Sequence, residues 1–156
     1  MKIRLIVIGK TNEPYLREGI EIYVKRLSFY TNFKLIELDE IKGSKKITMD
    51  EYRKKESEII IPQLKAERII LLDENGKTYS SFSFAKKLNE ALVRGIQSID
   101  FVVGGPFGFD KSVRKISHES LALSDMTFSH QMIRLFFVEQ LYRGFTIIKG
   151  ESYHHA

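Results

Sequence analysis

The 156-residue chain contains no cysteine. That absence removes disulfides, thiolate metal sites and cysteine nucleophiles together. Long apolar runs are also missing, since no segment nears the roughly 20 residues that a membrane span needs. The opening "MKIRLIVIGK" holds a short apolar stretch, interrupted by an arginine and followed by Gly9 and Lys10. It is too short and too charged for a signal peptide, so the expectation is a cytoplasmic protein with no membrane segment. Neither the dinucleotide fingerprint G-x-G-x-x-G nor the full P-loop pattern G-x-x-x-x-G-K-S/T occurs. A ligand carrying a polyphosphate is therefore disfavoured.

What is present describes a globular chain. Hydrophobic residues make up 43% and charged residues 29%, and the length suits a single domain over residues 1–156 with a sizeable core. No repeat, low-complexity tract or linker divides it. The net charge of +5, from 25 Lys and Arg against 20 Asp and Glu, is a mild pointer to an anionic partner.

The pattern along the chain alternates. "IRLIVI" (3–8), rich in β-branched residues, reads as a strand buried on both faces. Leu16, Ile20, Tyr23, Val24 and Leu27 recur at helical spacing within 13–30, with Pro14 suited to a first turn. "FKLIELDEI" (33–41) reads as a second strand and "KGSKK" (42–46) as a basic loop. Thr48 and Glu51 form a T-x-x-E capping box before a charged helix that Pro62 ends or kinks. "RIILLD" (68–73) is a strand, "ENGK" a turn, and a helix from about Phe82 to Arg94 closes on Gly95. "IDFVVGG" is a fourth strand, Asp110 caps the short helix "KSVRKIS", and "SLALS" (120–124) is a fifth strand. Strands alternating with helices over short connections predict an α/β fold, a mostly parallel sheet with helices on both faces.

Three segments fall where an open α/β sheet binds ligands, at the carboxyl ends of its strands. "VVGGPFGFD" (102–110) either forms a tight strand-to-helix turn or lets a ligand approach the backbone at Gly104 and Gly105. "LLDENGK" (71–77) places Leu72 at a neighbouring strand end. "LSDMTFSHQMIR" (123–134) sets short polar residues ahead of a helix for which Ser129 is a reasonable N-cap. Taken alone, His130 is a surface histidine near a helix start, and Asp125 a loop carboxylate. The helix beyond is apolar around most of its circumference, from Met132 through Phe136 and Phe137 to Tyr142. One sheet face consumes only part of that surface, so either the helix is wholly internal or, as a domain this small favours, a second chain covers the rest. Glu139 and Arg143 are spaced for an intrahelical ion pair, whereas Arg134 has no such partner in sight. The tail "YHHA" reads by itself as a polar terminus.

The order "LLDENGK", "FVVGGPFG", "LALSDMTFSHQMIRLFFVEQLYRGFTI" and a terminal "YH" resembles the ribosomal large subunit methyltransferase H family of the SPOUT superfamily. The resemblance runs over the whole chain, including "MKIRLIVIGK" and "YVKRL". It implies an α/β fold whose C-terminal part forms a trefoil knot, and a homodimer built on that region. It also implies S-adenosylmethionine-dependent methylation of N3 of a pseudouridine in large-subunit rRNA, within the ribosome. No metal is expected. A non-catalytic ribosome-binding factor of the same fold is the alternative.

Carried over by matching motif, the cofactor loops are Leu72, Gly104 and Leu123, Ser124, Asp125, Met126, Thr127 and Phe128. An imide N3 is a poor nucleophile until its proton leaves. His130 and His154, with reference pKa values near ~6.5, are candidate bases, and Tyr153, near ~10, is better suited to orient one. The resemblance assigns the tail's Tyr153 and His154 to the site, completed across the dimer. Related chains commonly carry Arg or Lys after "YH", where this one has His155 and Ala156. For RNA, Lys42, Lys45, Lys46 and Arg53-Lys54-Lys55 are candidate phosphate contacts. The polar entrance His130, Gln131 and Arg134 is expected to border the crevice and to meet cofactor, partner tail or RNA.

Overall fold

A computed structural model describes residues 1–155. Among them β1 (Lys2–Ile8), β2 (Asn32–Leu38), β3 (Arg68–Thr78), β4 (Ser98–Val103) and β5 (Glu119–Ala122) form one parallel sheet, ordered β2-β1-β4-β3-β5. Five α-helices cover it: α1 (Pro14–Leu27), α2 (Met49–Ile60), α3 (Ser81–Val93), α4 (Lys111–Ile116) and α5 (Met132–Ile148).

The period-2 geometry of strands sorts the core into two layers. Ile3, Leu5 and Val7 of β1 face α1, α3 and α5, meeting Ile20, Phe84, Leu88, Phe137 and Leu141. Ile6 and Ile8 face the other way, into a cluster with Ile60 of α2 and Val113 of α4. The central strands therefore need apolar residues at consecutive positions, and the alternating helices supply a cover for each face. In α5, Phe137, Val138 and Leu141 are fully buried, each contributing roughly 2 kcal/mol of apolar burial before the entropy of ordering is subtracted. Phe137 packs on Phe101 of β4 with ring centroids 4.6 Å apart.

Local signals were obeyed locally. Thr48 Oγ1 accepts from the Glu51 amide at 3.2 Å while Glu51 Oε2 accepts from the Thr48 amide at 2.8 Å, completing the capping box of α2. Asp110 accepts from the Ser112 amide at 2.9 Å and starts α4. Pro14 begins α1, and Pro62 falls in a 3-10 turn, Ile61–Gln63, just past the end of α2. The second strand stops at Leu38, short of 41, and the basic loop holds a 3-10 turn at Ser44–Lys46.

"ENGK" departs from expectation. It is not a turn: β3 continues through it to Thr78, and Leu121 of β5 pairs first with Leu72 and again with Lys77. The segment 73–76 bows around Leu121 between the two pairings. Gly76 has no positive φ, so it does not serve a left-handed turn. A Cβ there would lie 2.6 Å from the Leu121 nitrogen and the Ser120 carbonyl carbon. Glycine is required because another backbone passes too close for any side chain. Among the described residues, no helix is long and apolar enough to cross a membrane.

Candidate functional site

A crevice of about 1300 Å³ opens at the carboxyl ends of β4 and β5 and beside the bowed middle of β3. Leu72, Gly104, Leu123, Ser124, Met126, Thr127, Phe128 and His130 all line it. These residues come from three separate stretches of sequence, and strand register alone brings them together. The opposite wall is the first turn of α2 and the loop 105–110, with Lys111 and Arg114 of α4. Asp125 is exposed and does not contribute to the wall.

The loop from Leu123 into α5 is shaped by its own serines. Ser124 Oγ accepts from the Met126 amide at 3.0 Å. Ser129 Oγ accepts from the Met132 amide at 3.1 Å and the Ser129 carbonyl from Ile133 at 3.0 Å, closing the turn that leads into α5, although the N-cap position itself is Gln131 rather than Ser129. Two apolar side chains nonetheless stand at the mouth: Met126 is 77% exposed and Phe128 38%. Phe128 rests on Phe136 of α5, ring centroids 4.8 Å apart, and Phe136 is itself 38% exposed.

The polar entrance of α5 divides. His130 lies on the crevice, but Gln131 and Arg134 turn away from it, which corrects the expectation that all three border it. Gln131 Oε1 accepts from the Asn12 amide and its Nε2 donates to the Lys10 carbonyl, both at 3.0 Å. Arg134 is 0% exposed. Its Nε donates to the His130 carbonyl at 3.0 Å, Nη1 to Gly9 O at 3.0 Å and to Thr11 Oγ1 at 2.9 Å, and Nη2 to Ile8 O at 2.7 Å. Burial pushes the guanidinium's pKa down, opposed by the charges of Glu37 and Glu40. One fork thus ties the start of α5 to the end of β1. It holds His130 through its own backbone carbonyl.

On the far wall, Asp73 accepts from Arg114 at 2.6 Å and from the Asn75 amide at 2.9 Å. Beneath the glycine loop sits a residue that sequence reasoning missed, Glu56, whose Oε1 accepts from the Gly105 amide at 2.7 Å. The available signal was its place on the stripe Tyr52-Glu56-Ile60, an acid where a helix should be apolar.

The tail is elsewhere in this chain. Tyr153 stacks edge-on against Tyr142, centroids 4.7 Å apart, and donates to Glu139 at 3.1 Å while its oxygen meets that of Tyr23 at 3.2 Å. Burial first, then the bond to Tyr23 and the charge of Glu139, hold its phenol well above the usual tyrosine range. His154 Nδ1 lies 3.1 Å from Arg143 Nη1, and its ring meets Phe82 edge-on at 4.7 Å. An arginine can only donate, so Nδ1 accepts here and the proton resides on Nε2. Glu139 and Arg143 form the expected ion pair, at 2.6 Å. From His130 to Arg143 is about 20 Å along the helix axis, so the chain's own tail does not reach its own crevice. His155 is exposed, and Ala156 lies outside the described residues.

Comparison with known proteins agrees with this geometry. Residues 1–154 match the family model described as "Predicted SPOUT methyltransferase". The chain is 49% identical over 156 residues to "Ribosomal RNA large subunit methyltransferase H" of Flavobacterium johnsoniae, covering 99% of both chains. The protein of that name from Flavobacterium psychrophilum is also 49% identical, and that from Christiangramia forsetii 44%, each over 99% of both chains. With an α/β parallel sheet, a crevice at its strand ends and a match along nearly its whole length, the chain belongs to the SPOUT methyltransferase family.

Proposed function

We propose that this protein transfers a methyl group from S-adenosylmethionine to N3 of a pseudouridine in large-subunit rRNA, pseudouridine 1915 of 23S rRNA. It acts in the cytoplasm, on the ribosome, as a homodimer with residues 1–156 as one domain. One observation carries the reading: the bowed middle of β3 and the loops after β4 and β5 converge on one crevice with His130 at its edge. The relatives' shared name supports large-subunit rRNA as the substrate.

The crevice fits the donor. At Gly104 its wall is backbone without a side chain, and a Cβ there would already stand 3.2 Å from the Phe109 ring. When bound, the donor supplies an electrophilic methyl on a sulfonium sulfur. Leu72, Gly104, Leu123, Ser124, Met126, Thr127 and Phe128 hold it, and Asp125 stands outside the wall. His130 stands at the mouth to handle the imide proton. Tyr153, its phenol held protonated, donates hydrogen bonds and does not act as a base.

The layout of α5 supports the sharing of sites. If two copies of this helix cross antiparallel at the exposed Phe136, residues equidistant from the crossing meet. The start of one helix then lies level with the end of the other, where the tail packs on Tyr142 and Arg143. Lys42, Lys45 and Lys46 are exposed and offer phosphate contacts, while Arg53 is engaged by Asp50 and the Phe107 carbonyl.

The test is incubation with ribosomes and labelled S-adenosylmethionine. Label is expected in large-subunit rRNA, at the pseudouridine N3. Its absence, with ribosome binding intact, leaves a non-catalytic binding factor. Two variants sharpen the result. Gly104→Val drives a branched side chain toward Phe109 and into the crevice, so donor binding measured by calorimetry falls below detection. Removing residues 153–156 leaves donor affinity and the dimer unchanged but lowers turnover by about 100-fold or more, the scale of a lost proton-handling group.

A further inference from the structure

Glu56 is 2% exposed, and the proposed reaction gives it no task. Its Oε1 accepts from Gly105, while Oε2 is buried with no hydrogen-bond partner among the described residues. Burial raises its pKa, against a lowering by the Gly105 bond. A buried carboxyl with one oxygen unpaired costs stability, and an apolar side chain of similar volume would sit in the same slot without that cost. Something other than packing is served by the acid.

The neighbouring contacts show what it serves. From α2, Tyr52 meets Phe107 edge-on, ring centroids 5.1 Å apart, and Arg53 Nη1 donates to the Phe107 carbonyl at 3.3 Å. Glu56, one turn on from Tyr52, holds the Gly105 amide. Three side chains of one helix thus fasten a loop with no regular structure of its own. The loop is built to receive them: Gly105 has no positive φ, yet a Cβ there would collide with Glu56 Oε2. That glycine is required by the carboxyl.

We propose that Glu56 is a positioning residue, whose carboxyl fixes the Gly105 amide and so holds the crevice wall from Gly104 to Phe109 in its donor-binding shape, at the expense of fold stability. The inference rests on the reading of this crevice as the methyl-donor site.

Two full-length variants test it. Glu56→Gln keeps a carbonyl acceptor for Gly105, and Glu56→Leu does not. In the leucine variant the urea midpoint is expected to equal or exceed that of the wild type, while the Kd for S-adenosylmethionine weakens about ten-fold. KM for the donor rises in step and kcat at saturation stays within about twofold, as loss of uniform binding requires. Amides 104–109 (excluding Pro106) exchange with deuterium about ten-fold faster. The glutamine variant retains wild-type affinity within about threefold. Wild-type affinity and exchange in Glu56→Leu would overturn the proposal, as would stability and affinity falling together, or glutamine failing as leucine does. A wild type that binds no S-adenosylmethionine would instead refute the proposed function, and amide exchange in the same variants would still decide whether Glu56 positions the loop.

Discussion

Gly76→Ala is expected to destabilise the protein by more than about 3 kcal/mol, at or beyond the upper end of overpacking effects. The added methyl would meet backbone atoms of Ser120 and Leu121 at 2.6 Å, and backbone has no rotamer to turn aside. Relief requires parting β3 from β5, which also moves Leu72 and Leu123 on the crevice wall. Chemical denaturation should show a lower midpoint with an unchanged slope, and donor affinity should fall with it. Gly19→Ala is the control. Its Cβ would meet only the flexible end of Leu135, at 2.9 Å, and alanine is the better helix former, so stability should change by less than about 1 kcal/mol.

Arg134→Met should cost roughly 3 to 5 kcal/mol, for a different reason. Methionine fills much of the volume but leaves the Ile8 and Gly9 carbonyls and Thr11 Oγ1 buried with a donor removed. Arg134→Lys should recover little, since an ammonium cannot reach three acceptors in the fixed fork of a guanidinium. Because Arg134 also grips the His130 carbonyl, turnover should fall even below the unfolding transition. Unfolding curves paired with methyl transfer at low temperature would separate the two effects. A variant of wild-type stability would remove the fork from the account of how α5 is seated.

The contrast between these residues explains what was legible in the sequence. Caps such as Thr48–Glu51 and Asp110–Ser112 close within a few residues, so their chemistry is written side by side. The two-faced sheet was legible because β1 and β4 are apolar at consecutive positions, and the crevice because ligand-binding loops follow strand ends. Asn75-Gly76 misled: the local preference for a turn was overridden by β5, more than 40 residues away in sequence. Arg134 could not be placed, since its acceptors lie at the other end of the chain. Glu56 was missed because its side-chain bond crosses from α2 to Gly105. His130 borders the crevice as expected, whereas the tail, which the resemblance assigns to the site across a dimer, packs on α5 of its own chain.

The bow of residues 73–76 around Leu121 also has a mechanical meaning. Traction on the C-terminus would strip α5 first and then draw β5 lengthwise against a segment paired to it on both sides of one residue. Its hydrogen bonds would be loaded in shear and would have to yield together, whereas unzipping breaks them one at a time. A degradation motor engaging that end would stall there longest, on the strand that also forms part of the crevice floor.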